Sequence, residues 1–148
     1  MKIREDSTFF AFCQVYANKI CFKDISFYRV YERNDSASRN HNIKLMLKRE
    51  NDALKYIFKY KDVFYNNSET AKSIYNLLIY RTIASAIFYA TQYEVISYRE
   101  VLNYIDIRNF LPISLDGIKY KKFQIALLNF SPFLFYFLYL FRRFKVNI

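Results

Sequence analysis

The sequence predicts a mainly α fold, in which a small N-terminal helix and a two-stranded element precede a bundle of long helices. Three observations lead to this class. Apolar residues recur at helical spacing from Ile43 onward. One Gly and two Pro in 148 residues leave few sharp turns, and this length allows one domain with a real core. Residues 20–22 and 26–31 are rich in aromatic and β-branched side chains, which favours two short strands.

The first element is a helix over an apolar run, residues 9–17. Asp6 or Ser7 is placed to cap it, and the carboxylates of Glu5 and Asp6 suit the positive end of the helix. The two short strands follow, and a polar loop, residues 33–42, ends this part of the chain. We therefore divide the chain at residue 42, with a first part of residues 1–42 and a helical part of residues 43–148.

The helical part begins with an amphipathic pattern over residues 43–65, in which lysines and an arginine occupy the faces that the apolar stripe leaves. Ser68 is a candidate N-cap for the next helix, residues 70–93, whose pattern is apolar almost all round, so that it is buried or lies on lipid. A short helix over residues 97–104 and a loop over residues 108–119 follow. A last helix begins near Tyr120.

The last helix contains nineteen residues without a charge, 123–141, between basic groups on both sides. Its length just allows a membrane span, but Pro132 disfavours one. Basic flanks with Tyr and Phe between them also fit a helix lying in the plane of an anionic membrane surface. A buried core helix is the third interpretation.

A formal net charge of +10 indicates an anionic partner. Nucleic acid is the least favoured, because the aromatic residues cluster in apolar runs and do not alternate with the basic residues. With Gly117 as its one glycine, the chain has no Gly-rich phosphate loop. Cys13 and Cys21 are too few for a disulfide framework or a zinc site, which predicts a reducing, cytoplasmic environment.

Four segments of the first part resemble, in their order, the end of the catalytic domain of family 2 glycosyltransferases, the inverting GT-A enzymes of bacterial surface polysaccharide synthesis. These segments are residues 4–10 (REDSTFF), 17–20 (ANKI), 27–31 (FYRVY) and 35–39 (DSASR). In that family an acidic pair before an aromatic-containing helix carries the general base, and a strand and loop with arginine and serine lie close behind. The basic, apolar helical part is similar to the family's membrane-associating C-terminal region.

The resemblance implies roles for individual residues. Asp6 would be the catalytic base that takes the proton of the acceptor hydroxyl, and Glu5 would shape the site beside it. His41 would stand near the metal or the diphosphate. Groups suited to the leaving diphosphate or the acceptor are Arg29, Ser36, Ser38 and Arg39.

The same residues also have simpler explanations. An acidic pair before a helix is often a solvated helix start, and a histidine beside a helix cap is usually a surface residue. Arg29 has Glu32 and Asp24 as candidate ion-pair partners. Under this alternative, the protein is a small basic helical module that binds a membrane surface or another protein without catalysis.

The chain departs from the family in one large respect, because it has no nucleotide-binding α/β half and no Asp-x-Asp sequence. We therefore expect the chain alone to be inactive and to hold no cofactor, with Mg²⁺ or Mn²⁺ expected only with the missing half. The intact enzyme would use a nucleotide-sugar donor and a lipid-linked or saccharide acceptor. Its expected location is cytoplasmic, peripheral at the inner face of the plasma membrane.

Overall fold

The computed structural model describes residues 11, 13–17, 42–92 and 96–146, with the backbone alone for residues 143–146. Every regular element in these ranges is a helix, which confirms the mainly α prediction. Residues 11 and 13–16 are helical, as the sequence predicts for this stretch. The two predicted strands lie outside the described residues, and the division at residue 42 stays a prediction.

Helix α1 (Ile43–Lys59) begins where the side chain of Asn42 accepts a hydrogen bond from the backbone N–H of Leu45 at 3.1 Å. This contact satisfies one of the N–H groups that a helix start leaves open. Its buried stripe includes Leu47 and Leu54, as the apolar spacing predicts. Lysines lie on the opposite face.

The predicted single helix over residues 43–65 is wrong in one detail, because the chain turns at Tyr60 and continues as a separate helix, α2 (Lys61–Tyr65). Ile57 and Phe64 are seven residues apart, close to two helical turns, so the apolar spacing continues through the break and gives no sign of it. After the turn, Phe64 is fully buried, with its ring centroid 5.8 Å from that of Tyr75.

Helix α3 (Glu69–Gln92) is the centre of the bundle and packs against α1, α2 and the last helix. Ser68 Oγ accepts a hydrogen bond from the backbone N–H of Ala71 at 3.1 Å, which confirms the predicted N-cap. Buried residues occur along its whole length, because neighbours cover it on several sides. This packing explains why its sequence is apolar almost all round.

A short helix, α4 (Tyr98–Leu102), and a 3₁₀ turn (Ile107–Phe110) come next. The loop that follows is tied to the helices at two points. The side-chain amide of Asn129 donates to the carbonyl oxygen of Ile113 and accepts from its N–H, both at 2.8 Å. Gly117, with φ +70°, passes so close to α3 that a Cβ there would lie 2.0 Å from Ser73 Oγ.

The last part of the chain forms two helices, α5 (Lys122–Phe130) and α6 (Pro132–Val146), which pack against each other. The prediction of one last helix is therefore wrong. Ser131 between them is extended, and Pro132 takes the first helical position, where its missing N–H costs nothing. Ser131 Oγ accepts a hydrogen bond from Leu134 N at 3.2 Å. The uncharged stretch is thus divided into two shorter helical pieces.

Candidate functional site

The residues that the sequence singles out for catalysis or phosphate binding lie outside the described residues. They are Glu5, Asp6, Arg29, Ser36, Ser38, Arg39 and His41. Their proposed roles stay predictions. Among the residues that are described, no group of three or more His, Cys, Asp or Glu side chains is arranged to hold a metal ion. The surface of α5 and α6 is the most unusual feature of the described structure.

One side of α6 is anchored firmly in the bundle. Phe135 is fully buried, and its ring centroid lies 6.1 Å from that of Tyr80 on α3. The hydroxyl of Tyr136 donates to the carbonyl oxygen of Ile96 at 2.6 Å, and Gln92 Nε2 donates to the carbonyl oxygen of Tyr139 at 3.0 Å. These contacts fix the rotation of α6 about its axis, and so determine which residues point away from the bundle.

The opposite side of α6 is apolar. We define the α6 outer face as five exposed or half-exposed residues that share this side over more than two turns: Phe133, Leu134, Phe137, Leu138 and Phe141. The rings of Phe133 and Phe137 are 4.7 Å apart between centroids, and those of Phe137 and Phe141 are 6.2 Å apart. A surface helix ordinarily presents charged or polar residues on this side.

Helix α5 exposes apolar residues in the same way. We define the α5 outer row as Phe123, Ala126 and Phe130, which stand on one side of the helix because they follow helical spacing. Phe123 is 75% exposed and Phe130 is 82% exposed. On the inner side, Ile125 and Leu128 are fully buried, so α5 cannot rotate to hide the outer row without exposing its core.

Cationic groups stand at the ends of these surfaces. Lys119 and Lys121 precede α5, Lys122 is its first residue, and all three are exposed. The exposed Arg142 lies near the end of α6. Within the described residues none of these four takes part in an ion pair. The sequence has no Asp or Glu after Asp116, so the charge of this region is entirely positive. It remains available to an anionic partner.

Two buried tyrosines belong to this region, Tyr80 on α3 and Tyr136 on α6. Burial raises the pKa of Tyr80, and burial also raises the pKa of Tyr136. Both hydroxyls therefore stay neutral well above neutral pH. The charge of the surface therefore comes from its lysine and arginine residues.

The α6 outer face and the α5 outer row are thus apolar surfaces on two helices that pack against each other, with cationic groups near their ends. This combination suits adsorption to an anionic, partly apolar partner. No helix in the described ranges combines the length and the apolar character that crossing a bilayer requires. The sequence identified the region but not the outward residues. The sequence pattern that could have identified these outward residues is the spacing of Phe133, Phe137 and Phe141, which are four residues apart.

Comparison of the chain with protein-family models, with curated protein sequences and with solved structures found no match.

Proposed function

We propose that the helical part of this protein binds the surface of an anionic lipid bilayer through the α6 outer face and the α5 outer row. The observation that carries this proposal is the two-sided apolar character of α6. One side packs on the bundle and the other presents Phe and Leu to the surroundings, next to unpaired cations. A bilayer surface offers both an apolar interior for the rings and negative headgroups for the lysines.

The energetics favour an occupant of this chemistry. Fully burying one Phe or Leu side chain is worth about 1.5–3 kcal/mol, and each Lys or Arg near an anionic membrane adds about 1 kcal/mol. Several such residues act together here, which is enough for reversible binding. Helix α6 has 15 residues, fewer than the roughly 20 that span a bilayer, and one of its sides is held by the bundle. It therefore lies in the plane of the membrane.

This orientation implies a peripheral location. The cytoplasmic leaflet of the plasma membrane carries the anionic lipids that attract basic segments. We therefore place the protein at the inner face of the plasma membrane.

The experiment is flotation of the purified full chain with vesicles of phosphatidylcholine, with and without phosphatidylserine. We expect binding to the anionic vesicles, with loss of binding in Phe130→Ser combined with Leu134→Ser. Replacing Lys119, Lys121 and Lys122 by Gln should weaken binding to anionic vesicles. The matched control replaces Lys44, Lys55 and Lys59 of α1 by Gln, which removes the same charge elsewhere and should change binding less.

Equal binding to neutral and anionic vesicles would contradict the proposed attraction between the lysines and the anionic headgroups. Self-association of the chain through these helices, without vesicle binding, would instead show that a second copy covers the surface. Analytical ultracentrifugation of the wild-type chain and of the Phe130 and Leu134 double variant distinguishes these outcomes.

We also propose, on the resemblance alone, that this membrane-binding part belongs to a family 2 glycosyltransferase. What supports this is the order of the acidic pair, the aromatic segment and the Ser-Ala-Ser-Arg segment in residues 4–39. Asp6 would act as base for transfer of a sugar from a nucleotide donor to a lipid-linked or saccharide acceptor. The membrane surface would then hold the enzyme near a lipid-linked acceptor.

Translation of the DNA immediately upstream of Met1 in all three frames tests this second proposal. An α/β sequence with Asp-x-Asp would support it, and unrelated sequence would contradict it. The purified chain by itself should show no sugar transfer. Neither outcome affects the membrane-binding proposal, which rests on other residues.

A further inference from the structure

A second surface feature lies away from the α6 outer face, where the end of α1, helix α2, the first half of α3 and the segment after the 3₁₀ turn meet. They enclose a pocket of about 180 Å³. Pockets for drug-sized ligands measure about 300–1,000 Å³, so a ligand here is smaller than that. The proposed membrane surface does not include this pocket.

One wall of the pocket carries a buried amide. Asn76 is 2% exposed and lines the pocket from α3. Its Oδ1 accepts a hydrogen bond from the hydroxyl of Tyr65 at 3.1 Å, while its Nδ2 makes no hydrogen bond within the described part of the chain. This donor is not completely closed off, and Asn76 lines the pocket, so the amide N–H group can donate to a molecule bound there. A ligand that supplies an acceptor oxygen would pair with it.

The rim of the pocket carries a cation. Lys61 Nζ lies 5.2 Å from the ring centroid of Tyr65 and 5.9 Å from that of Phe58, and forms no ion pair with the described residues. The nearby Asp106 lines the neighbouring hollow and accepts a hydrogen bond from the side-chain amide of Asn109. The lining of the pocket itself contains no carboxylate, so the charge of Lys61 is not neutralised there.

Most of the remaining lining residues are apolar. The rings of Phe58 and Phe110 are nearly perpendicular to each other, with centroids 5.7 Å apart, and the other lining residues include Ile79 and Pro112, with Asn109 as a further polar group. Aromatic edges and faces suit contact with a flat ring. The pocket therefore joins a site for an anion to a slot for a planar apolar group.

From this arrangement we infer that the pocket binds a small planar organic carboxylate, with its charged end between Lys61 and Asn76 and its ring against Phe58 and Phe110. The carboxylate oxygens accept from the ammonium group and from the amide nitrogen, both of which lack other acceptors in the described structure. A neutral ligand of the same shape would leave Lys61 uncompensated.

The test is titration of the full chain with benzoate, followed by chemical-shift changes in ¹H–¹⁵N spectra, with benzamide as the neutral probe of the same shape. We expect saturable binding of benzoate and at least about tenfold weaker binding of benzamide, because a hydrogen bond to a charged group is worth more than one to a neutral group. Lys61→Gln should weaken benzoate binding by about the same factor.

The matched control is Lys59→Gln. Lys59 is an exposed lysine two residues away whose Nζ lies 5.8 Å from the Tyr60 ring centroid, and it does not line the pocket. Lys59→Gln should bind benzoate as the wild type does. Because both lysines are exposed, neither change threatens the fold, and the spectra without ligand verify this directly.

Asn76→Asp tests the amide at nearly constant volume, because it replaces the N–H donor by a carboxylate oxygen, and it should also weaken benzoate binding. Three results would overturn the inference: no saturable benzoate binding, equal binding of benzoate and benzamide, or equal loss in the Lys59 and Lys61 variants. Binding of inorganic phosphate without binding of benzoate would overturn it as well, since it would show an anion site without the planar slot.

Discussion

Helices α1 and α6 pack against the same central helix, α3, yet they present opposite surfaces to the surroundings. The exposed side of α1 carries Lys44, Lys48, Lys55 and Lys59, whereas the α6 outer face has no charged residue. The inner sides of both helices are fully buried: α1 buries Leu47 and Leu54, and α6 buries Phe135. The inner sides hold the bundle together in the same way, whereas the outer sides differ: that of α1 suits contact with water, and that of α6 has the apolar character that the proposed membrane contact requires.

The largest effect should come from changing the same residue type on these two helices. Leu54 is 0% exposed and Leu134 is 45% exposed. Leu54→Ala should lower the free energy of unfolding by about 2–5 kcal/mol, because it leaves a cavity in the core. Leu134→Ala should lower it by less than about 0.5 kcal/mol in the absence of membranes. Urea unfolding followed by circular dichroism measures both.

An equal loss of stability in the two variants would contradict the comparison. It would mean that the α6 outer face is already packed, for example against a second copy of the chain. The same Leu134 variant should bind anionic vesicles more weakly than the wild type, which connects the stability measurement to the proposed function.

An intermediate effect is expected at the loop between the 3₁₀ turn and α5. Gly117→Ala should destabilise the protein by about 1–3 kcal/mol, because a φ of +70° strains an L side chain and the new Cβ would meet Ser73 Oγ at 2.0 Å. The measurement is again urea unfolding. Ser73→Ala removes the hydroxyl, so the double variant should recover part of the loss relative to the sum of the two single changes.

Full additivity of the Gly117 and Ser73 changes would show that the close approach to α3 is not the cause. A neutral Gly117→Ala would contradict both the backbone strain and the contact. In that case the loop would not determine where α5 and α6 lie on α3.

The smallest effects concern two buried tyrosines, Tyr75 on α3 and Tyr136 on α6. Burial raises the pKa of Tyr75, which packs on α2, and burial raises the pKa of Tyr136 on α6. The neutral hydroxyl is present in both folded and unfolded chains below the ordinary pKa of 10.0. Above that pH the unfolded chain loses the proton first, so stability should fall as pH rises.

Tyr75→Phe should reduce this alkaline loss while leaving stability at neutral pH within about 0.5 kcal/mol, because the hydroxyl makes no hydrogen bond in the described residues. Tyr136→Phe should cost about 0.5–1.5 kcal/mol at neutral pH, since its hydroxyl donates to the carbonyl of Ile96. Urea midpoints on both sides of the ordinary tyrosine pKa check both variants. An unchanged alkaline loss in Tyr75→Phe would show that its hydroxyl is hydrated.

The pattern of apolar residues predicted most of the described fold. The start of α1, the N-cap at Ser68 and a short helix after Ser97 are local features, because each depends on neighbouring residues along the chain. The turn at Tyr60 was missed because the apolar spacing runs through it. The division at Ser131 was missed although Pro132 indicated an interruption of the helix. A proline by itself does not distinguish a kink from the start of a new helix.

The candidate sites were harder to predict. The residues chosen for catalysis lie outside the described ranges, so that prediction stands untested. For residues 123–141 the sequence left three interpretations open, because an apolar helix looks the same whether protein or lipid covers it. The pocket was not foreseen at all, because its polar groups, Lys61 and Asn76, meet Pro112 only after distant segments pack together.

Composition and periodicity alone were sufficient to establish a helical, basic and very aromatic chain, because helical spacing and charge are properties of short segments. Which side of α6 is covered depended on where α3 lies, and therefore on contacts between residues far apart in the chain. Tyr136 and Phe137 are neighbours of similar chemistry, yet Tyr136 is buried against Ile96 and Tyr98 whereas Phe137 is half-buried. Only the packing of the helices decides such a difference.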